Sequence, residues 1–211
     1  EICLSDWSSD VCSSDLAPTV AFGQGYSLTA MQATSVFATI ANDGVRVSPT
    51  VIAGTSDASG NYTPSAARES VRVISSETAQ KMRIMMESVV SANGTAPTAA
   101  IAGYRVAGKT GTAMRIDDTC GCYRGYTASF IGFAPADKPA YVISVTIQDP
   151  KGLHWGGALG GPVFKKVMSF VLQSKGIAPT GTTVDPVALT EKQLIAERKL
   201  AEQKAARVKT N

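Results

Sequence analysis

Histidine is almost missing from this 211-residue chain, which has one, His154. A histidine metal site or a Ser-His-Asp triad would rest wholly on that residue, and its setting, Gly152-Leu153-His154-Trp155-Gly156-Gly157, reads as a loop. Long apolar runs are missing too. Hydrophobic residues make up 44% of the chain, yet none of them forms the stretch of about 18 that a membrane-crossing helix needs, so no membrane anchor is read here. Charge is sparse, at 18% of residues and a net +3, too mild and scattered for a nucleic-acid surface. Cysteine is limited to four positions. Cys120-Gly121-Cys122 reads as a loop or a local disulfide, and a zinc site would need further ligands that are not visible nearby. No metal and no cofactor are expected.

The remaining composition suits one sizeable globular core. Residues 1–16 differ from it, with four acids, no Lys or Arg, five serines and a near-repeat of Ser-Ser-Asp. They resemble translated adapter sequence and are set aside as a non-native segment, which also removes Cys3 and Cys12 from consideration. Residues 17–175 form the main unit, and residues 176–211 a Pro/Gly/Thr linker followed by a charged tail helix. That tail helix is expected from Glu191 to about Val208, behind the capping box Thr190-Glu191-Lys192-Gln193, with a thin stripe of Leu194, Ala201 and Val208.

Within the main unit, helical and extended patterns alternate. Thr29-x-x-Gln32 is a capping box for a helix with Ala33, Val36, Phe37, Ile40 and Ala41 on its apolar face, ended by Gly44. Asp57-Ala58-Ser59-Gly60-Asn61 is a hairpin turn between extended stretches. Ser75 or Ser76 starts a second helix with Ala79, Met82, Met85, Met86, Val89 and Val90 at helical spacing. Ser91-Ala92-Asn93-Gly94 closes it, with Asn93 or Gly94 in the left-handed capping position. Three strands follow: one around Lys109, one from Tyr126 to Ala134 and one from Ala140 to Ile147, the last two an antiparallel pair joined at residues 135–139. Pro162 fits the first turn of a last helix running to about Ser174, with Phe164, Val167, Met168 and Val171 inward and Gly176 as its stop. Antiparallel sheet flanked by helices is an α+β pattern.

The strand Ala107-Gly108-Lys109-Thr110-Gly111-Thr112-Ala113 carries the chemistry. Side chains alternate along a strand, so Thr110 and Thr112 share one face and Lys109 and Gly111 the other. Two hydroxyls can then meet an anionic group lying alongside. The ammonium of Lys109 adds positive potential, and Gly111 lets a peptide-like substrate approach the backbone and pair with the strand edge. A strand N–H can also point at a developing oxyanion. Lys-Thr-Gly on a strand edge occurs in serine acyl-transfer enzymes that react with penicillin.

Other segments stand in a matching order: Gly23-Gln24-Gly25 with the helix after it, Ile40-Ala41-Asn42-Asp43-Gly44, the Lys109 strand, Ser129-Phe130-Ile131-Gly132-Phe133-Ala134-Pro135 and Gly161-Pro162-Val163-Phe164. Together they resemble the class B penicillin-binding proteins, the peptidoglycan D,D-transpeptidases, and within them the septal, cell-division type, over roughly residues 17–175. The resemblance implies the α+β, serine β-lactamase-like transpeptidase fold, truncated at its N-terminal side. It also implies catalytic roles for Lys109 and Thr112, with Thr110, Gly111 and Thr112 binding substrate. The implied partners are peptidoglycan stem peptides, β-lactam antibiotics and the cell-division machinery, with no nucleic acid. The full-length protein would act at the outer face of the cytoplasmic membrane.

That family's nucleophile lies in a Ser-x-x-Lys motif upstream, and no Ser in this sequence stands three positions before a Lys. Its Ser-x-Asn motif also belongs upstream, whereas Ser59-Gly60-Asn61 and Ser91-Ala92-Asn93 lie downstream and read as turns. The chain is therefore expected to be inactive alone. A β-lactamase or penicillin sensor, and a non-catalytic interaction module, remain alternatives.

Overall fold

The computed structural model describes residues 28–117 and 119–181 together with Gly23. Residues 1–16, the rest of the Gly-Gln-Gly segment and the tail helix lie outside the described residues.

Helix α1, Ala30–Ala41, begins where its sequence requires. Thr29 Oγ1 accepts from the Gln32 N–H at 3.2 Å while Gln32 Oε1 accepts from the Thr29 N–H at 2.9 Å, so two otherwise orphaned donors are satisfied. The chain leaves the helix through Asp43, at φ 58°, and Gly44, at φ 83°, the left-handed conformation that ends helices. The expected inward face is only partly realised: Phe37, Ile40 and Ala41 pack on the core, but Val36 is 54% exposed.

From Gly44 the chain runs out into an arm and returns. Strand β1 (Val45–Val47) pairs antiparallel with β4 (Ser70–Arg72), and β2 (Gly54–Ser56) with β3 (Tyr62–Pro64). The turn expected at residues 57–61 is present, with Asp57 Oδ1 accepting the N–H groups of Ser59 and Asn61 at 2.9 Å each.

Helix α2, Ser76–Glu87, is capped by the Ser75 hydroxyl and continues as a 3-10 turn over Ser88–Val90. Ala79, Met86 and Val90 are buried, whereas Met85 points outward. The expected left-handed cap is not formed: neither Asn93 nor Gly94 has a positive φ. Gly94 instead folds back under the preceding turn, where a Cβ would drive into the Val89 and Ser88 carbonyl oxygens. Close approach rather than handedness accounts for that glycine.

Strands β5 (Ala107–Asp117), β6 (Cys122–Ala134) and β7 (Tyr141–Gln148) form an antiparallel sheet in the order β5-β6-β7, so among the described residues β5 and β7 are its outer strands. The register pairs Lys109 with Ile131, Thr110 with Phe130, Gly111 with Ser129 and Thr112 with Ala128, with a bulge between Met114 and Ile116. Helix α3, Gly156–Ser174, covers one face, burying Phe164, Met168 and Leu172 against Phe130, Ile143 and Val145. Helices α1 and α2 cover part of the other, around Ala107, Phe133 and Val142. No helix among the described residues is long and apolar enough to cross a membrane.

Helix α3 differs from expectation in two ways. It starts at Gly156, so Pro162 lies inside it rather than in its first turn. Its inward stripe is Phe164, Met168 and Leu172, while Val167 is 43% exposed. A run of Gly-Gly-Ala-Leu-Gly-Gly has poor helix propensity, but here the glycines let the helix lie directly on the sheet. A Cβ at Gly156 would enter the Gly111 and Ser129 carbonyls, and one at Gly160 would sit 2.8 Å from Phe130 Cβ. Tertiary packing overrides local preference.

Candidate functional site

The Lys109 strand is bonded on one side to β6 and, among the described residues, open on the other, the arrangement in which an extended peptide can add as a further strand. The alternation follows the sequence. Thr110 and Thr112 share the face of Phe130 and Ala128, towards α3, and Lys109 and Gly111 share the face of Ile131 and Ser129.

On the first face the hydroxyls have structured partners. Thr112 Oγ1 accepts the backbone N–H of Gly156 at 3.1 Å, and Thr110 Oγ1 shares a hydrogen bond of 3.1 Å with Thr95 Oγ1. The Thr112 oxygen is therefore oriented as an acceptor towards α3, which leaves its own hydrogen to donate outward. The positive end of the α3 dipole adds to the same spot, favouring a negative group there. Thr95 and the Gly156 N–H were not read from the sequence. Thr95 lies in a loop with no motif of its own, and Gly156 reads as loop rather than helix until the sheet beneath it is known.

Lys109 lies on the opposite face and is exposed, with Nζ donating to the Thr110 carbonyl at 2.9 Å. The structure thus brings the two threonines together with α3 and leaves the ammonium at the strand edge. Gly111 faces Ser129, whose hydroxyl occupies the volume a Cβ would need.

The strand is held from below by a buried ion pair. Arg105, two residues before β5, donates to Glu87 from Nε at 2.9 Å and from Nη2 at 2.6 Å, and the Glu87 side chain is 2% exposed. This fork ties the end of α2 to the start of β5.

Beyond Thr112 lies an aromatic group. His154 stacks on Tyr126 with ring centroids 4.0 Å apart and lies 4.8 Å from the ring of Trp155, which is 60% exposed. His154 is in a loop, as its sequence setting implies. At the far end of β5, Cys120 and Cys122 form a disulfide across the turn into β6. Asp117 caps that turn, and its carboxyl is held below the usual range by the Thr119 hydroxyl and N–H. Among the described residues no group of three His, Cys, Asp or Glu side chains could hold a metal ion.

Comparison with known proteins agrees with this architecture. Residues 7–169 match the penicillin binding protein transpeptidase domain. Penicillin-binding protein PbpB of Mycolicibacterium smegmatis is 41% identical over 177 residues, covering 79% of this chain and 27% of that protein. Peptidoglycan D,D-transpeptidase FtsI of Escherichia coli is 34% identical over 166 residues, covering 78% and 26%. The chain therefore spans about a quarter of the length of these relatives. Among solved structures, penicillin binding protein 3 of Mycobacterium tuberculosis complexed with aztreonam superposes with a TM-score of 0.71 at 37% identity, over 81% of this chain and 40% of that one. The same protein complexed with ampicillin gives 0.68 at 37%, over 80% and 38%. On the family match over residues 7–169, the sequence identities and the structural superposition, the chain belongs to the penicillin-binding protein transpeptidase family.

Proposed function

We propose that this chain supplies the substrate-binding strand of a peptidoglycan D,D-transpeptidase that cross-links stem peptides through a serine acyl-enzyme and is trapped by β-lactams. The observation that carries the reading is the open edge of β5 with Thr112 oriented by the Gly156 N–H. A stem peptide ending in D-Ala-D-Ala lies along that edge, its terminal carboxylate accepting from the Thr110 and Thr112 hydroxyls. A hydrogen bond to a charged group of this kind contributes about 1.5–3 kcal/mol. Gly111 allows the close approach. Lys109 supplies positive field to the reacting group, and the Thr112 N–H lends one oxyanion donor.

In the reaction a serine oxygen attacks the penultimate D-Ala carbonyl, the terminal D-Ala leaves with a proton on its amine, and the acyl group passes to an amine of a neighbouring strand. A β-lactam acylates the same serine by ring opening and stays attached. The serine lies in a Ser-x-x-Lys motif, which this sequence does not contain, so the 211-residue chain is not acylated on its own. By the same reading the longer natural protein works with the cell-division machinery at the outer face of the cytoplasmic membrane. On the same reading residues 1–16 are non-native, whereas residues 176–181 do not stand apart as a linker: Ile177 packs on the core and Thr180 donates to Asp137 at 2.9 Å.

Labelled penicillin tests this. The chain alone should show no hydroxylamine-sensitive adduct by intact-mass spectrometry. The same sequence joined to an upstream Ser-x-x-Lys region from its genome should acquire one. An adduct on the chain alone, or none on the longer protein, would overturn the reading.

A further inference from the structure

The Thr110 hydroxyl has a fixed neighbour that the chemistry above leaves unused. Thr95 stands between the 3-10 turns Ser88–Val90 and Pro97–Ala99, and its segment is tied down on both sides. The Ala96 N–H donates to the Val89 carbonyl at 2.9 Å, and Ala96 and Ala99 are fully buried. The loop also lies against the first turn of α3. The Thr98 hydroxyl donates to the Gly157 carbonyl at 2.9 Å, and a Cβ at Gly157 would drive into the Thr95 carbonyl oxygen. The Thr95 side chain itself is left at the surface, with its Oγ1 3.1 Å from Thr110 Oγ1. Among the described residues neither hydroxyl has another hydrogen-bond partner.

The supply of hydrogens gives that contact a direction. A threonine hydroxyl has one hydrogen and two lone pairs. When Thr110 gives its hydrogen to an anion it has none left for Thr95, so the contact survives only with Thr95 as the donor. Thr112 is in the same position towards the Gly156 N–H, from which it accepts at 3.1 Å. Each strand hydroxyl then takes one donor from outside the strand and turns its own hydrogen outward. Hydrogen bonds in such a relay polarise one another, so a hydroxyl that accepts also donates more strongly.

We propose that Thr95 is a positioning residue for carboxylate recognition: its hydroxyl donates to Thr110 Oγ1 and so holds the Thr110 hydroxyl as a donor to the terminal carboxylate of the bound ligand. It does for Thr110 what the Gly156 N–H does for Thr112. The inference rests on the reading of the β5 edge as the substrate site. Because the Thr95 backbone is already clamped between the core and α3, little ordering is left to be done when the ligand arrives. Thr95 acts through Thr110 on the anion, and the bond that breaks lies elsewhere along the ligand, so its effect falls on binding rather than on the acylation step.

The test uses the longer, acylating protein with two substitutions. Thr95→Val keeps the branched shape and removes the hydroxyl, and Thr95→Ser keeps the hydroxyl. Stopped-flow acylation by benzylpenicillin separates the dissociation constant of the complex formed before acylation from the acylation rate constant. Thr95→Val should raise the dissociation constant about three- to tenfold and change the rate constant by less than about twofold, and Thr95→Ser should restore binding. With benzylpenicillin methyl ester, which presents no carboxylate, Thr95→Val should bind as the wild type does. Unchanged binding of benzylpenicillin by Thr95→Val overturns the proposal. So does an equal loss with the ester, or Thr95→Ser as impaired as Thr95→Val. Binding of N-acetyl-D-alanyl-D-alanine, followed by threonine methyl NMR, separates this proposal from the reading on which it rests. A longer protein that is not acylated, yet binds the dipeptide three- to tenfold more weakly as Thr95→Val, loses the catalytic reading and keeps the role of Thr95. An acylated protein indifferent to Thr95→Val keeps the reading and loses that role.

Discussion

The backbone N–H of Gly156 reaches the hydroxyl of Thr112 across 44 residues of sequence, at 3.1 Å. The start of α3 and the edge strand β5 are thereby one unit, and the distance between them is set by a glycine.

Gly156→Ala should separate that unit. The added Cβ enters the Gly111 and Ser129 carbonyls, both backbone atoms that cannot swing aside, and overpacking of this kind costs about 1–3 kcal/mol or more. Thermal unfolding of the chain should fall by several degrees, whereas Gly176→Ala, with open space around it, should act only through its positive φ and cost less. Equal losses would show that the helix does not rest on the sheet at this point.

In the longer, acylating protein, Lys109→Ala should lower the second-order rate of acylation by a fluorescent β-lactam by about 10²-fold or more. Lys166→Ala, on the exposed side of α3, should change it by less than about twofold. Similar effects from the two would remove Lys109 from the reacting site.

Glu87→Gln should destabilise the chain by about 3–5 kcal/mol, because it takes the charge from a carboxylate that holds Arg105 in a buried fork. Chemical denaturation of Glu87→Gln, Arg105→Met and the double variant gives the coupling. The double variant should recover part of the loss, and strict additivity would sink the assignment of a coupled pair.

Asp43 joins α1 to α2 through Ser76 and Arg83. The Ser76 hydroxyl, and after it the charges of Arg83 and Arg72, hold its carboxyl below the usual range. A carboxyl whose pKa is lower folded than unfolded contributes stability that is present above the unfolded pKa and is lost as pH falls through the folded one. Stability of the wild-type chain should therefore decline in acid more steeply than that of Asp43→Asn, with the two curves converging at the lowest pH. Parallel curves would show that Asp43 carries no such linkage.

The elements with strong local signals were legible from the sequence. The Thr29 capping box, the Asp57–Asn61 turn and the β6–β7 pair stand as their residue types imply, because capping and turn chemistry act within a few residues. What distance decides was not legible. Val36, Met85 and Val167 sit at helical core spacing yet are exposed, since periodicity shows which residues share a face and not what lies opposite. The first turn of α3 was hidden because its glycines answer to the sheet below. At the site, the alternation of Lys109 against Thr110 and Thr112 followed from strand geometry. Thr95 and the Gly156 N–H came from remote segments.

The glycine-rich start of α3 also bears on the order in which the protein assembles. Six residues containing four glycines have little tendency to coil in isolation, so this turn can wind only after β5 and β6 have paired and offered it a floor. The donor that orients Thr112 is then among the last atoms to arrive, and the chain can pass through a state with its sheet complete and the Thr112 hydroxyl still unset. Ligand affinity would lag behind strand formation during refolding.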